Sequence, residues 1–222
     1  MASSVYVTGV EPGGGKSAVA LGLSEMLSRR VERLGAFRPL ARSQPDPIIE
    51  LLRRRYAMTL PPDALVGADY ATAHAYLGDG RGDELVSMIV ERYRAVARVC
   101  DAVVVVGTDF GREPGDPQVE PGLPDELAFN LRLAGEFGAT VVPVVDGHGR
   151  DADEVAAAVR ATYRSLADQR AVVVAVIANR VGPGQRAEAL AARAGLPVPA
   201  YAIPDVPAVA APTVGEVMTA LD

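Results

Sequence analysis

Lysine is almost absent from this 222-residue sequence: of its 22 Lys and Arg residues, only Lys16 is a lysine. Tryptophan is missing, cysteine appears once as Cys100, histidine occurs twice, and aromatic residues make up 5% of the chain. A single cysteine excludes an internal disulfide framework. Placed just before an apolar run, Cys100 reads as a buried, inert thiol. His74 and His148 lie far apart without Cys or carboxylate neighbours at metal-ligand spacing, so they read as surface or loop residues rather than ligands. No Ser-His-Asp or Cys-His arrangement can be assembled from this stock. Positive charge is also short, with a net charge of -6 and an isoelectric point near 5.0. That excludes a broad nucleic-acid or acidic-membrane surface, which needs clustered Lys and Arg. The apolar runs "AVVVV" at 102–106 and "AVVVAVIA" at 171–178 fall well short of the roughly 20 residues that span a bilayer. With no charged segment followed by an apolar stretch at the N-terminus, a cytoplasmic setting is expected.

What the chain has in quantity is apolar, β-branched sequence. At 49% hydrophobic, 222 residues suffice for one sizeable domain, and a single domain is expected. Apolar runs alternate with helical patterns throughout, which predicts an α/β fold with a mainly parallel sheet and helices on both faces. Strands are expected near 5–8, 35–39, 102–107, 140–145, 172–178 and 199–203. Helices are expected over 16–34, with Gly35 as the stop, and from Asp46 through "IIELLRRRY". Others are expected near 83–97, 124–137, 151–167, 185–193 and 214–221. Residues 59–81 have no clean period and read as loop with one short strand at "ALVGADY". The Gly-, Pro- and acid-rich run at 111–126 reads as a surface loop. The arginines at 53–55 read as a solvated helix face that could also meet an acidic neighbour.

The lone lysine sits in "VTGVEPGGGKSAVALGL", which opens at residue 7 as strand, glycine-rich turn, Gly-Lys-Ser and helix. In that order the backbone N–H groups of Gly13, Gly14, Gly15, Lys16 and Ser17 converge on a phosphate at the positive end of the helix dipole. A compact ammonium on a flexible stem suits the β- and γ-phosphates better than a planar guanidinium does, and Ser17 offers its hydroxyl to Mg²⁺. The bland alternative is a glycine turn that happens to hold a lysine. Asn179, at the end of an apolar run, has an amide able to pair with adenine N6 and N7, or serves only as a turn residue. Asp46 either meets Mg²⁺ through water or caps the helix that Pro47 begins.

Five residues, "VEPGG", separate Gly9 from Gly15 where the general pattern has four. This variant, with Glu11 five positions before the lysine, resembles the dethiobiotin synthetase-like branch of P-loop proteins. In related partition-type ATPases a signature lysine stands where this chain has Glu11, so the resemblance disfavours a lysine-mediated ATP sandwich dimer. "GAFRPLARS" at 35–43, Asp46 opening the next helix, and "VIANRV" at 176–181 are similar to further landmarks of that branch. The resemblance implies an adenine-recognition strand around Asn179, and a ligand pocket reached by Arg38 and Asp109. Two positions depart from the synthetases. Val106 precedes Gly107 where they carry a glutamate, leaving Asp109 as the nearest carboxylate, and Arg38 replaces a lysine that contacts carbamate and phosphate. Both count against unchanged synthetase chemistry.

"GAFRP", "CDAVVVVG", "ANR" and the terminal "IPDVPAVAAPTVGEVMTAL" together make residues 3–221 look like the N-terminal domain of actinobacterial phosphate acetyltransferases. That resemblance implies a regulatory P-loop domain that partners middle and catalytic domains, binds ATP or ADP with Mg²⁺, and helps to assemble a homo-oligomer. The expected fold is thus P-loop NTPase-like, with acetyl transfer belonging to a domain outside these 222 residues. Two other readings stand beside it: a free-standing ATP-dependent ligase of the synthetase type, and a degenerate P-loop domain kept for subunit contacts.

Overall fold

The computed structural model of the chain describes residues 2–11, 13–108, 126–182, 190 and 194–206. Seven strands form one sheet in the order β3-β2-β4-β1-β5-β6-β7: β1 Ser3–Gly9, β2 Leu34–Ala41, β3 Val66–Asp69, β4 Ala102–Val106, β5 Thr140–Asp146, β6 Val176–Val181 and β7 Ala200–Pro204. Every neighbouring pair is parallel. β2 and β4 are buried along their whole length, which is why they read as Val-, Ala- and Leu-rich runs without alternation.

The helices are α1 Lys16–Ser28, α2 Pro47–Arg55, α3 Tyr70–Gly78, α4 Gly82–Val99, α5 Glu126–Phe137 and α6 Ala152–Asp168, with a 3-10 turn at Pro62–Leu65. Strand order and the right-handed rule for parallel crossovers assign them to two faces. α1 and α2 lead leftward in the strand order, from β1 to β2 to β3. α4, α5 and α6 lead rightward and cover the opposite face. On that face the few aromatic residues gather: Tyr93 and Phe137 stack at 3.9 Å, and Phe37 meets both edge-on. Clustering lets so small an aromatic stock anchor the sheet to two helices at once.

Several expectations need correction. α1 ends at Ser28, capped by the Arg29 N–H, and Gly35 lies inside β2 rather than stopping a helix. A Cβ on Gly35 would lie 2.7 Å from Cys100 Sγ, so this glycine leaves room for the thiol. Cys100 itself is half-buried, and burial pushes its thiol up from its ordinary value. The region 59–81 is not loop: the short strand at "ALVGADY" is β3, and α3 follows it at once, capped by Asp69 accepting from the Thr72 N–H. His74 lies on α3, half-buried. β6 begins at Val176, four residues later than expected, because of the preceding run only Val173 forms a bridge, to Val141, while Val172 and Val174 are exposed. The expected helices at 185–193 and 214–221 and the surface loop at 111–126 fall largely or wholly outside the described residues.

Candidate nucleotide site

β1 delivers Gly9 to the carboxyl edge of the sheet, and α1 starts at Lys16. The chain turns between them through Gly13 at φ 72° and Gly15 at φ 83°, backbone conformations that glycine alone adopts cheaply. The Gly14 N–H reaches the Glu11 carbonyl at 3.4 Å and closes the loop on itself. Gly15 caps α1 without a side-chain hydrogen bond. Ser17, the second residue of α1, is exposed.

Lys16 is 7% exposed. Its ammonium donates to the Thr108 carbonyl at 3.4 Å and stands 3.7 Å from Glu126 Oε1. Thr108 is held by Asn130, which is fully buried on α5. Asn130 Oδ1 accepts from the Thr108 N–H at 2.8 Å and from the Tyr6 hydroxyl at 2.7 Å, while its Nδ2 donates to the carbonyls of Thr108 and Glu126. One amide therefore ties the exit of β4, the core of β1 and the start of α5 together beside the lysine. Burial pushes the Tyr6 phenol far up, which keeps it neutral.

Asn179 comes from β6 on the other flank. It is 6% exposed, and its Nδ2 donates to the Gly14 carbonyl at 3.0 Å. A Cβ on Gly15 would collide with that same nitrogen, which adds a second reason for glycine at 15. Glu11 and Arg150 form a further tie: Arg150 Nη2 lies 2.6 Å from Glu11 Oε1, and its Nη1 donates to the Asp146 carbonyl at 2.7 Å. The Glu11 carboxylate beside it raises Arg150 above the ordinary guanidinium value. Asp146 in turn pairs with Arg180 at 2.5 Å. The loop is thus braced from β5 and β6 as well as from its own strand.

Arg38 lies on β2 and Asp46 at the start of α2, and the Arg38 charge acts on the Tyr6 phenol. Arg38 is 8% exposed and Asp46 6%, with Arg38 Nε 3.6 Å from Asp46 Oδ2. Asp46 Oδ1 accepts from the N–H groups of Ile48 and Ile49, so this residue is the cap of α2. Nε and Nη1 of Arg38 are buried without a hydrogen-bond partner, and the Asp46 carboxylate offsets the charge at Nε only at ion-pair distance. Among the described residues no three His, Cys, Asp or Glu gather as a metal site. Mg²⁺ commonly takes only one or two protein oxygens and leaves the rest to phosphates and water. Ser17 fits that pattern; Asp46, committed to the cap and to Arg38, fits only through water. Asp109 lies outside the described residues.

Sequence reasoning missed Glu126, Asn130, Thr108 and Arg150. Asn130 carried a signal, being a polar residue on the apolar face of α5 formed by Phe129, Leu133 and Phe137. Arg150 carried none, because its partner Glu11 is 139 positions away.

The AAA domain family profile matches residues 3–213. The chain belongs to that family. It is 25% identical over 229 residues to a phosphate acetyltransferase of Nitratidesulfovibrio vulgaris, covering 98% of this chain and 31% of that protein. A phosphate acetyltransferase of Synechocystis is 24% identical over 82% of this chain and 26% of its own length. The chain thus spans about a third or less of these relatives. Among solved structures, a Borrelia burgdorferi protein assigned to plasmid partition and bound to AMPPNP superposes with TM-score 0.56 at 12% identity, covering 93% of this chain and 86% of that one. A ParA family ATPase of Chlorobium tepidum gives 0.50 at 13%, covering 94% and 86%. At such identities the likeness establishes the fold, an all-parallel P-loop NTPase architecture.

Proposed function

We propose that this chain is the nucleotide-binding regulatory domain of a phosphate acetyltransferase, holding ATP or ADP with Mg²⁺ at residues 9–17. The observation that carries the reading is the lone lysine: buried at the start of α1, it holds its ammonium beside Gly9 and the Thr108 carbonyl, in a glycine loop braced by Asn179 and Arg150. Gly9, Glu11, Gly13, Gly14 and Gly15 shape the cradle, Lys16 neutralises the phosphates, and Ser17 meets the Mg²⁺ that arrives with the nucleotide. Asp46 joins the metal through water. Adenine is read by the part of the Asn179 amide that Gly14 leaves open, and Nη1 of Arg38, which has no hydrogen-bond partner, receives an anionic group of the bound ligand. The similarity to two phosphate acetyltransferases supports the parent enzyme, whose full length would bring middle and catalytic domains as partners and a homo-oligomeric assembly.

Calorimetry with Mg-ATP on the wild type and on Lys16→Ala is the test. Heat with the wild type and none with Lys16→Ala is expected, and GTP is expected to bind more weakly than ATP. Equal affinity in both proteins would remove the phosphate role from Lys16.

A further inference from the structure

The carboxylate of Glu126 lies 3.7 Å from the ammonium of Lys16, at the place where a P-loop lysine meets a nucleotide's terminal phosphates. Glu126 is the first residue of α5, and its position is fixed independently of its charge. Its backbone carbonyl accepts from Asn130 Nδ2 at 2.9 Å, and Asn130 is locked by Thr108 and Tyr6. The carboxylate is itself a quarter exposed, whereas the Lys16 side chain is 8% exposed. An anion is thus held against a nearly buried cation by a helix that cannot retreat without breaking the amide clamp.

We infer that Glu126 is a specificity residue of this site, an internal anion that phosphates must displace from Lys16 and that repels them once they are in place. The inference rests on the nucleotide reading above. Its consequence is selection by ligand charge. A free triphosphate brings more negative charge toward the carboxylate than its magnesium complex does, so Glu126 penalises the free nucleotide more and makes the site demand the metal-bound form. It does so without coordinating the metal. The strand position before Gly107, which holds the uncharged Val106, contributes no carboxylate to this balance.

The single lysine makes the contact directly measurable. A water-soluble carbodiimide activates a carboxylate, and an amine in contact then forms an amide with release of the urea. Lys16 is the only side chain that can supply that amine, so a Lys16–Glu126 isopeptide is identifiable by peptide mass spectrometry. The cross-link is expected in the nucleotide-free protein and lost at saturating Mg-ATP. Its absence from the free protein, or its persistence at saturation, overturns the inference. In parallel, Glu126→Gln keeps the size of the side chain and the backbone bond to Asn130. It should bind Mg-free ATP roughly ten-fold more tightly than the wild type, with a smaller gain for Mg-ATP. A ratio of Mg-bound to Mg-free affinity that is the same in both proteins overturns the charge filter. If Lys16→Ala still abolishes binding in that case, the nucleotide reading stands. No heat from either the wild type or Glu126→Gln would overturn both.

Discussion

At the scale of single residues, the loop is legible because its requirements are stereochemical and local. Gly15 adopts φ 83° to start α1, and a Cβ there would collide with the amide of Asn179. Gly15→Ala should therefore lose about 1–2 kcal/mol from left-handed backbone strain alone. A further loss follows as Asn179 is pushed off the Gly14 carbonyl. Thermal denaturation reads the first effect and nucleotide titration the second; a variant as stable as wild type with undiminished binding would show that the loop does not need this conformation. The lysine stood out because arginine fills every other basic position except histidine, and the buried ammonium in the loop agrees with that singularity. Glu126, Arg150 and Thr108 were not legible, since each acts through a partner distant in sequence that only the sheet brings near. Asp46 was readable both as a cap and as a metal-side group. Its two backbone N–H bonds establish the cap, and the water-mediated metal role stays with the proposal.

Elements were legible where burial dictates composition. The apolar runs of β4 and β5, the amphipathic α4 and α6, and the capping box at Asp151 and Glu154 declare themselves over short windows. α3 does not: "YATAHAYLG" buries only Ala73, so no apolar stripe marks it, and its start depends on the Asp69 cap. That dependence gives it a pH signature. Hydrogen bonds from Thr72, first from its side chain and then from its backbone, hold the Asp69 carboxyl below its ordinary 3.8. A carboxyl depressed in the folded state adds stability above its unfolded pKa, and that stability is lost as pH falls through the lower folded value. Asp69→Ala should accordingly cost about 1 kcal/mol near neutrality, and the difference from wild type should shrink below about pH 3.8 as the wild-type carboxyl is neutralised. Denaturant titrations of both proteins at pH 7 and pH 3 read this; a penalty unchanged by acid would mean that the carboxylate charge plays no part in the cap.

For the whole molecule, strand order matters more than any one residue. α1 leaves β1 toward β4 and β2, and α6 leaves β5 toward β6, so a crevice opens at the carboxyl edge where the connections diverge. Gly9, Thr108, Asp146 and Asn179 all reach that edge, as the proposed nucleotide site requires. Among the described residues the two histidines sit on α3 and beside Asp205, and Cys100 lies at the opposite end of β4 from the glycine loop. If, as proposed, acetyl transfer belongs to a separate catalytic domain, the 222 residues alone are expected to turn over no acetyl phosphate with coenzyme A. In a longer chain that joins this domain to a catalytic one, a nucleotide can alter turnover only if it binds one arrangement of the domains better than another. Lys16→Ala in such a chain should then remove the response to added ATP while leaving nucleotide-free turnover in place. Acetyl transfer by the 222 residues would sink the regulatory assignment. An ATP response that survives Lys16→Ala would instead place the effector elsewhere in the longer chain.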